Sequence, residues 1–504
     1  MGAVQELKRI HELIRLGKSD ESLRLVTRLS RSQSLTPAQR LELAELAIQA
    51  RGSTITLRLL LPEYRRWLKT RGASERAMHP RAQLAFVLAS VESGSTQAAL
   101  QMLATIPSDA HDPRTLDAWI VAHSRTWAWD ETPPLQRQIL ADPRSAPADR
   151  LIAEIGLAVT AILGSKPDPR GAEARLREIE TLAEEVARPA LHREWLLARI
   201  DAVVHVGEPK PARALLTEAR RLYPAETDRL FAAVLDRSEA ALDAFSGDDV
   251  PGGLRRLVEL RDVFLSQGYW ERARKCDYYA AYSGRSWDAL LRIAFGSSYA
   301  PLRARCATLA RERYARELPA AAYRGPTAGT VLEVPLGDEV DLATPGLEPH
   351  TVPGRALQAL LSEIYRPVPV PDLHAAILGD QVFDPASSPA RVRQTVARLR
   401  KLLKHAAPLW EIVQSSGGYR LQATSPRAPA LRTSFMPPPL PKDARREELR
   451  ARFGDATFTL REAARALGQE NKTTLRLLNS WLADGQVERT GATRSLRYRL
   501  NQRS

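Results

Sequence analysis

The stretch Ser388–Leu421, SPARVRQTVARLRKLLKHAAPLWEIVQSSGGYRL, decides how this chain is read. Ser388 before Pro389 is a helix start, because a capping hydroxyl is followed by a residue whose missing N–H has no partner in the first turn anyway. Beyond it Val392, Val396, Leu399 and Leu403 recur at steps of four, three and four, the spacing of one buried face on a helix over Pro389–His405. Arg391, Gln394, Arg398 and Lys401 recur at steps of three, four and three along another side, as a row of long donors. A basic face alone is the ordinary solvated side of an amphipathic helix. Here it is followed at once by Trp410–Gln414, a Ser415–Gly418 turn and Tyr419–Leu421, which read as a β-hairpin. An α-helix fits the major groove of duplex DNA, where Arg reads guanine and Gln reads adenine through paired hydrogen bonds.

Working upstream, Arg355–Tyr365 and Pro371–Leu378 carry helical patterns, so the order is helix, helix, helix, hairpin. Thr330–Leu342 (TVLEVPLGDEVDL) sets β-branched residues on either side of a Gly-Asp turn signal and predicts a short hairpin or pair of strands. On these residues, 330–421 resembles the OmpR/PhoB-type winged-helix effector domain. VRQTVARLRKLL (Val392–Leu403) is similar to that family's recognition helix, and GGYRL (Gly417–Leu421) to its closing wing strand. The resemblance implies a third helix in the major groove, a wing at the adjacent minor groove, often dimers on repeated half-sites, and DNA contacts from Arg391, Arg393, Gln394, Arg398 and Lys401. Ser415 and Ser416 stand where the family often has an Arg-Gly pair, and nothing ahead of the module resembles a phosphoacceptor receiver domain. A helical repeat beside such a module also resembles the antibiotic-regulatory SARP proteins, with the order reversed.

Downstream, residues 423–442 hold six prolines and read as an extended, semi-rigid linker. In 443–504 the pattern recurs: helices over Asp443–Phe453, Thr459–Leu467 (opened by a Thr459–Glu462 capping box) and Asn471–Ala483, then strands over Val487–Thr490 and Ser495–Leu500. Leu475, Leu478 and Leu482 are expected to pack, leaving Lys472, Thr473, Arg476 and Asn479 outward, while Arg489, Arg494, Arg497 and Arg499 lie on the wing. FTLREAARALG (Phe458–Gly468) and TTLRLLNSWLADGQVER (Thr473–Arg489) resemble generic bacterial winged helix-turn-helix domains, used for DNA or for protein contacts.

Residues 1–317 are helical almost throughout, with stripes such as Leu197, Ile200, Val203 and Val204. Gly207 is followed by Ala212, Ala219 and Pro224, which resembles the second half of a tetratricopeptide repeat, where small residues let helices approach closely. Gly17 with Ser22, Gly94 with Ala99, and Gly284 with Ala289 repeat the first step. The expected fold is mainly α: an α-solenoid of antiparallel helix pairs (1–317), a linker over 318–329, and two winged-helix domains (330–422 and 443–504).

Composition narrows the function. Residues 381–504 hold 23 Lys and Arg against 10 Asp and Glu, so +13 of the +14 formal charge lies in the last quarter of the 504 residues. Cys276 and Cys306 have neither metal-ligand spacing nor partners for a disulfide framework, which fits a reducing compartment. No signal-peptide stretch and no apolar run of about 18 residues occurs, so the expectation is a cytoplasmic, nucleoid-associated protein without a membrane partner. Phosphate-binding Gly loops, H-E-x-x-H and C-x-x-C pairs are absent, and the scattered histidines and the aromatic residues Trp127, Trp129, Tyr278 and Tyr279 read as packing. No catalytic residue, metal or cofactor is therefore expected, and the chain does not read as an enzyme. It reads as a bacterial transcription regulator that binds double-stranded DNA through two modules, with the helical domain serving an effector, a protein partner or self-association. The alternative is a DNA-tethering scaffold whose solenoid recruits another protein.

Overall fold

The computed structural model describes residues 3–15, 19–32, 35–50, 53–69, 80–93, 95–104, 106, 112–186, 188–225, 229–246, 249–327, 329–333, 339–340, 347–348, 351–379, 383–384, 387–415, 417–434, 446, 449–450, 452–467, 471–483, 485–491 and 496–501. The chain is mainly helical, from Ala3–Arg15 to Ala300–Tyr314, before short strands enter. Local chemistry sets the breaks. Asp112, Asp168 and Asp249 each accept an amide N–H at the start of a helix that has proline in its first turn. Gly207, at φ 81°, ends Pro189–Val206, and Pro209 opens the next helix.

Small residues at the expected steps allow close helix packing. Ser22, Ala99, Ala212 and Ala289 are all completely buried; Gly17 and Gly94 lie outside the described residues. One apolar core spans helices between Leu7 and Ala122. A larger one, from Trp127 to Ala310, continues into Ala322, Val331, Ile364 and Tyr365. Trp127 and Tyr278 pack within it, their ring centres 5.2 Å apart.

Both segments expected as linkers carry a strand. Ala321–Arg324 pairs antiparallel with Ala430–Ser434, in the register Ala321↔Ser434. Val331–Leu332 adds antiparallel to the former and Glu339–Val340 parallel to the latter, so Thr330–Leu342 yields two strands that do not pair with each other. The physical reason is partnership across the chain: buried Arg324 donates to the carbonyls of Leu360 (2.7 Å) and Leu421 (2.6 Å), tying this sheet to the helix and the hairpin that bear them.

The next unit packs helices Val352–Leu361, Val370–Leu378 and Ser388–Ala406 on a sheet of Val368–Pro369, Gly418–Ala423 and Trp410–Ser415, with Gly418–Ala423 central. Two local expectations shift. The first helix ends at Leu361 instead of Tyr365, turning Glu363 and Tyr365 toward the preceding helices. The cap of the third is Ser387, while the Ser388 hydroxyl accepts the Asp384 N–H at 2.9 Å. Gly418 is required where it stands, since a Cβ there would lie 2.4 Å from the Val368 oxygen.

This unit is seated on the helical region at two places. Buried Arg274 pairs with buried Glu363, the Tyr365 hydroxyl donates to Asp277 (2.7 Å), and the Ile364 N–H donates to the Gly296 oxygen (2.9 Å). Elsewhere the Tyr64 hydroxyl donates to the Phe383 oxygen at 3.0 Å.

In the C-terminal unit the Thr459–Glu462 capping box opens Leu460–Ala466, and Asn471–Ala483 is followed by the hairpin Val487–Thr490 and Arg497–Leu500. The helix expected over Asp443–Phe453 falls largely outside the described residues. Among the described side chains of Asn471–Ala483, Thr474, Leu478 and Trp481 are buried and Leu482 packs beside them, whereas Leu475, expected to pack, is 37% exposed; the indole of Trp481 occupies the core in its place. Among the described residues no helix is long and apolar enough to cross a membrane.

Candidate nucleic-acid interface

Ser388–Ala406 buries Val392, Val396, Leu399 and Leu403. Arg391, Arg393, Gln394, Arg398 and Lys401 are all exposed. At about 100° per residue, Arg391, Gln394, Arg398 and Lys401 fall within a sector of about 80°. Arg393 stands outside it, on the flank shared with Lys404. His405, exposed and four residues after Lys401, extends the row; the same spacing that revealed the others could have found it. Burial, with the Arg391 charge nearby, holds His374 below the ordinary imidazole value.

Arg400 plays a different part. Its Nε and Nη2 donate to the Ile412 oxygen at 3.0 and 2.7 Å, which fixes the hairpin against the helix. Arg420 similarly donates to the oxygens of Ile364 and Tyr365, and Arg355 to that of Ala376. Several arginines of the basic region are thus held by backbone carbonyls. The strands Trp410–Ser415 and Gly418–Ala423 meet at Ser415↔Gly418, and Gly417 takes φ 76° in the turn between them, a conformation that glycine adopts without strain.

On Asn471–Ala483, Lys472, Arg476 and Asn479 are exposed at steps of four and three. The side chain of Thr473 and the whole of Arg494 lie outside the described residues. In the hairpin Arg489 and Arg497 are exposed, and Arg499 is engaged by Glu488. The structure therefore forms two short cationic rows, each on a helix leading into a hairpin.

Both cysteines are buried, and burial pushes their thiols up to about 12, so neither is a thiolate nucleophile. Among the described residues no three His, Cys, Asp or Glu side chains converge to hold a metal ion. No family model and no curated protein matches the chain. The surface's recognition capacity rests on its geometry alone: long donors in a line, one helical face wide, suited to phosphates and base edges.

Proposed function

We propose that the protein is a double-stranded DNA-binding transcriptional regulator with two winged-helix modules, of OmpR/PhoB type at 330–422 and generic at 443–504, carried on a helical-repeat domain. The observation that supports this best is the exposed row Arg391, Gln394, Arg398 and Lys401, on a helix whose opposite face is core and whose end runs straight into a hairpin. Arg398 and Gln394 suit base edges, whereas Arg391, Lys401 and the flanking Arg393 suit phosphates. In the second module Lys472, Thr473, Arg476 and Asn479 on the helix, with Arg489, Arg494 and Arg497 on the wing, are the corresponding group. Linked modules raise each other's effective concentration, and every neutralised phosphate adds to the salt dependence.

The test is selection from a random duplex pool by the full-length protein, followed by footprinting and a salt titration. An enriched site is expected, with log K falling linearly against log salt and steeper than either module alone would give. Sequence-indifferent retention would make the protein a DNA tether. Absence of any duplex binding at low ionic strength would sink both.

A further inference from the structure

A cavity of about 690 Å³, within the range of small-molecule sites, opens between the helices Ala3–Arg15, Pro37–Gln49, Ser53–Lys69 and Pro80–Glu92. Leu41, Leu46, Leu60 and Ala82 give it an apolar wall. Six titratable side chains also line it, and four of them are paired with one another. Arg81 Nε donates to Glu45 at 2.9 Å and its Nη2 to the other oxygen of the same carboxylate, while His11 Nε2 lies 3.2 Å from Glu42 Oε1. Arg40 and Glu63 are the other two. Glu63 is half-buried, and its Oε2 is out of solvent without a hydrogen-bond partner. Arg40 is half-buried as well, and among the described residues neither it nor Glu63 makes an ion pair or a side-chain hydrogen bond.

The two unpaired groups are neighbours on adjoining helices. Pro37–Gln49 and Ser53–Lys69 form an antiparallel pair in which Thr56 Oγ1 donates to the Ala44 oxygen at 2.8 Å. At that register Glu63 comes level with Pro37, about one helical turn from Arg40 along the axis. They stand too far apart to satisfy each other, and a simple ion would satisfy only one of them. A molecule carrying an ammonium and a carboxylate satisfies both, through hydrogen bonds strengthened by charge. Between them and beside them the wall is apolar, so the same molecule gains from an aliphatic group.

We propose that this cavity binds a free α-amino acid with a branched apolar side chain, its ammonium at Glu63, its carboxylate at Arg40 and its side chain against Leu46 and Leu60. The residue after Glu63 is Tyr64, whose ring stacks on Phe86 with 4.3 Å between centres and whose hydroxyl donates to the Phe383 oxygen. The ligand thus lies on the same helix that touches the unit carrying the basic helix, and occupancy stabilises the packing around it.

The experiment is calorimetric titration of the full-length protein with leucine, glycine, leucinamide and N-acetyl-leucine. No DNA is present, so the result is independent of duplex reading. Leucine is expected to bind saturably at one per chain, with the other three each at least about tenfold weaker, since each lacks the side chain or one of the two charges. Glu63→Gln should weaken leucine by about tenfold or more and leave N-acetyl-leucine, which has no ammonium, unchanged. Arg40→Gln should weaken leucine similarly and leave leucinamide, which has no carboxylate, unchanged. Neither substitution removes a side-chain bond of the fold, and an unchanged melting temperature without ligand verifies this. Three results overturn the proposal: no heat from leucine up to about 10 mM, a blocked analogue binding as tightly as leucine, or leucine affinity retained in either variant.

Discussion

One guanidinium nitrogen of Arg274 donates to both carboxylate oxygens of Glu363, at 2.9 and 3.0 Å, with both side chains out of solvent. Arg274 belongs to the helical region and Glu363 to the unit bearing the basic helix. The guanidinium carbon also lies over the rings of Tyr299 and Tyr365, at 4.6 and 4.7 Å from their centres. Cation, anion and two aromatic faces close the seam between regions 89 residues apart in sequence.

Stranding a buried charge wholly costs about 3–5 kcal/mol, and because Arg274 also pairs with Glu271 the loss of Glu363 costs less than that. Glu363→Gln should therefore lower the urea midpoint of the full-length protein substantially. Arg274→Met should cost more than Glu363→Gln, because it takes the cation from both Glu363 and Glu271. Wild-type stability in either variant would show that the seam contributes no energy.

The same seam bears on fragments. A piece starting at residue 330 lacks Ala321–Arg324, an interior strand of its sheet, together with the two carbonyl bonds from Arg324. It also exposes Ile364, whose N–H is held by Gly296. We expect residues 330–434 alone to give no cooperative unfolding transition, while the full-length chain does. A sharp transition from that fragment would show that the first sheet is dispensable.

On the basic helix, surface and staple should separate. Arg398→Ala with Gln394→Ala removes exposed groups, so stability should hold while affinity for a selected site falls by about 1–3 kcal/mol for each base-reading pair lost. Arg400→Ala should do the reverse, lowering stability by about 1–2 kcal/mol through loss of its bonds to Ile412. Gel-shift titration beside thermal melting checks both, and equal effects of the two changes on affinity would remove the distinction.

Periodicity made the basic helix legible because its buried and exposed rows are both continuous: Val392, Val396, Leu399 and Leu403 against Arg391, Gln394, Arg398 and Lys401. The capping box at Thr459 was legible for a similar reason, since its chemistry is complete within four residues. Ala321–Arg324 and Ala430–Ser434 were not. Each is short and lies in a Pro- or Ala-rich stretch, and their pairing with each other joins segments about a hundred residues apart, information that no local window holds. Arg400 was indistinguishable from its neighbours by type, and its role comes from the position of Ile412.

His205 gives the helical core a pH dependence with a definite sign. Its Nδ1 lies 2.7 Å from the Asp201 oxygen, and the rings of Phe245, Tyr279 and Tyr282 surround it edge-on, their centres 4.8–5.6 Å away. Burial lowers its pKa to about 4, against the opposing pull of Asp201 and with a smaller contribution from Lys275 and Arg313. Because the folded value is depressed, the unfolded chain takes up a proton at this site near pH 6.5 while the folded chain does not. The stabilisation is complete above pH 6.5 and declines as pH falls toward 4, by about 1.4 kcal/mol per unit and about 3 kcal/mol in all. Asp117 and Asp372, both raised to about 6 by burial, act in the opposite sense over the same window, because the folded state protonates them first. The His205 contribution is therefore read as a difference. Urea unfolding of wild type and His205→Gln between pH 7 and 4.5 should show the wild type losing more stability on acidification than the variant, and parallel curves would mean that this imidazole is not held neutral by its burial.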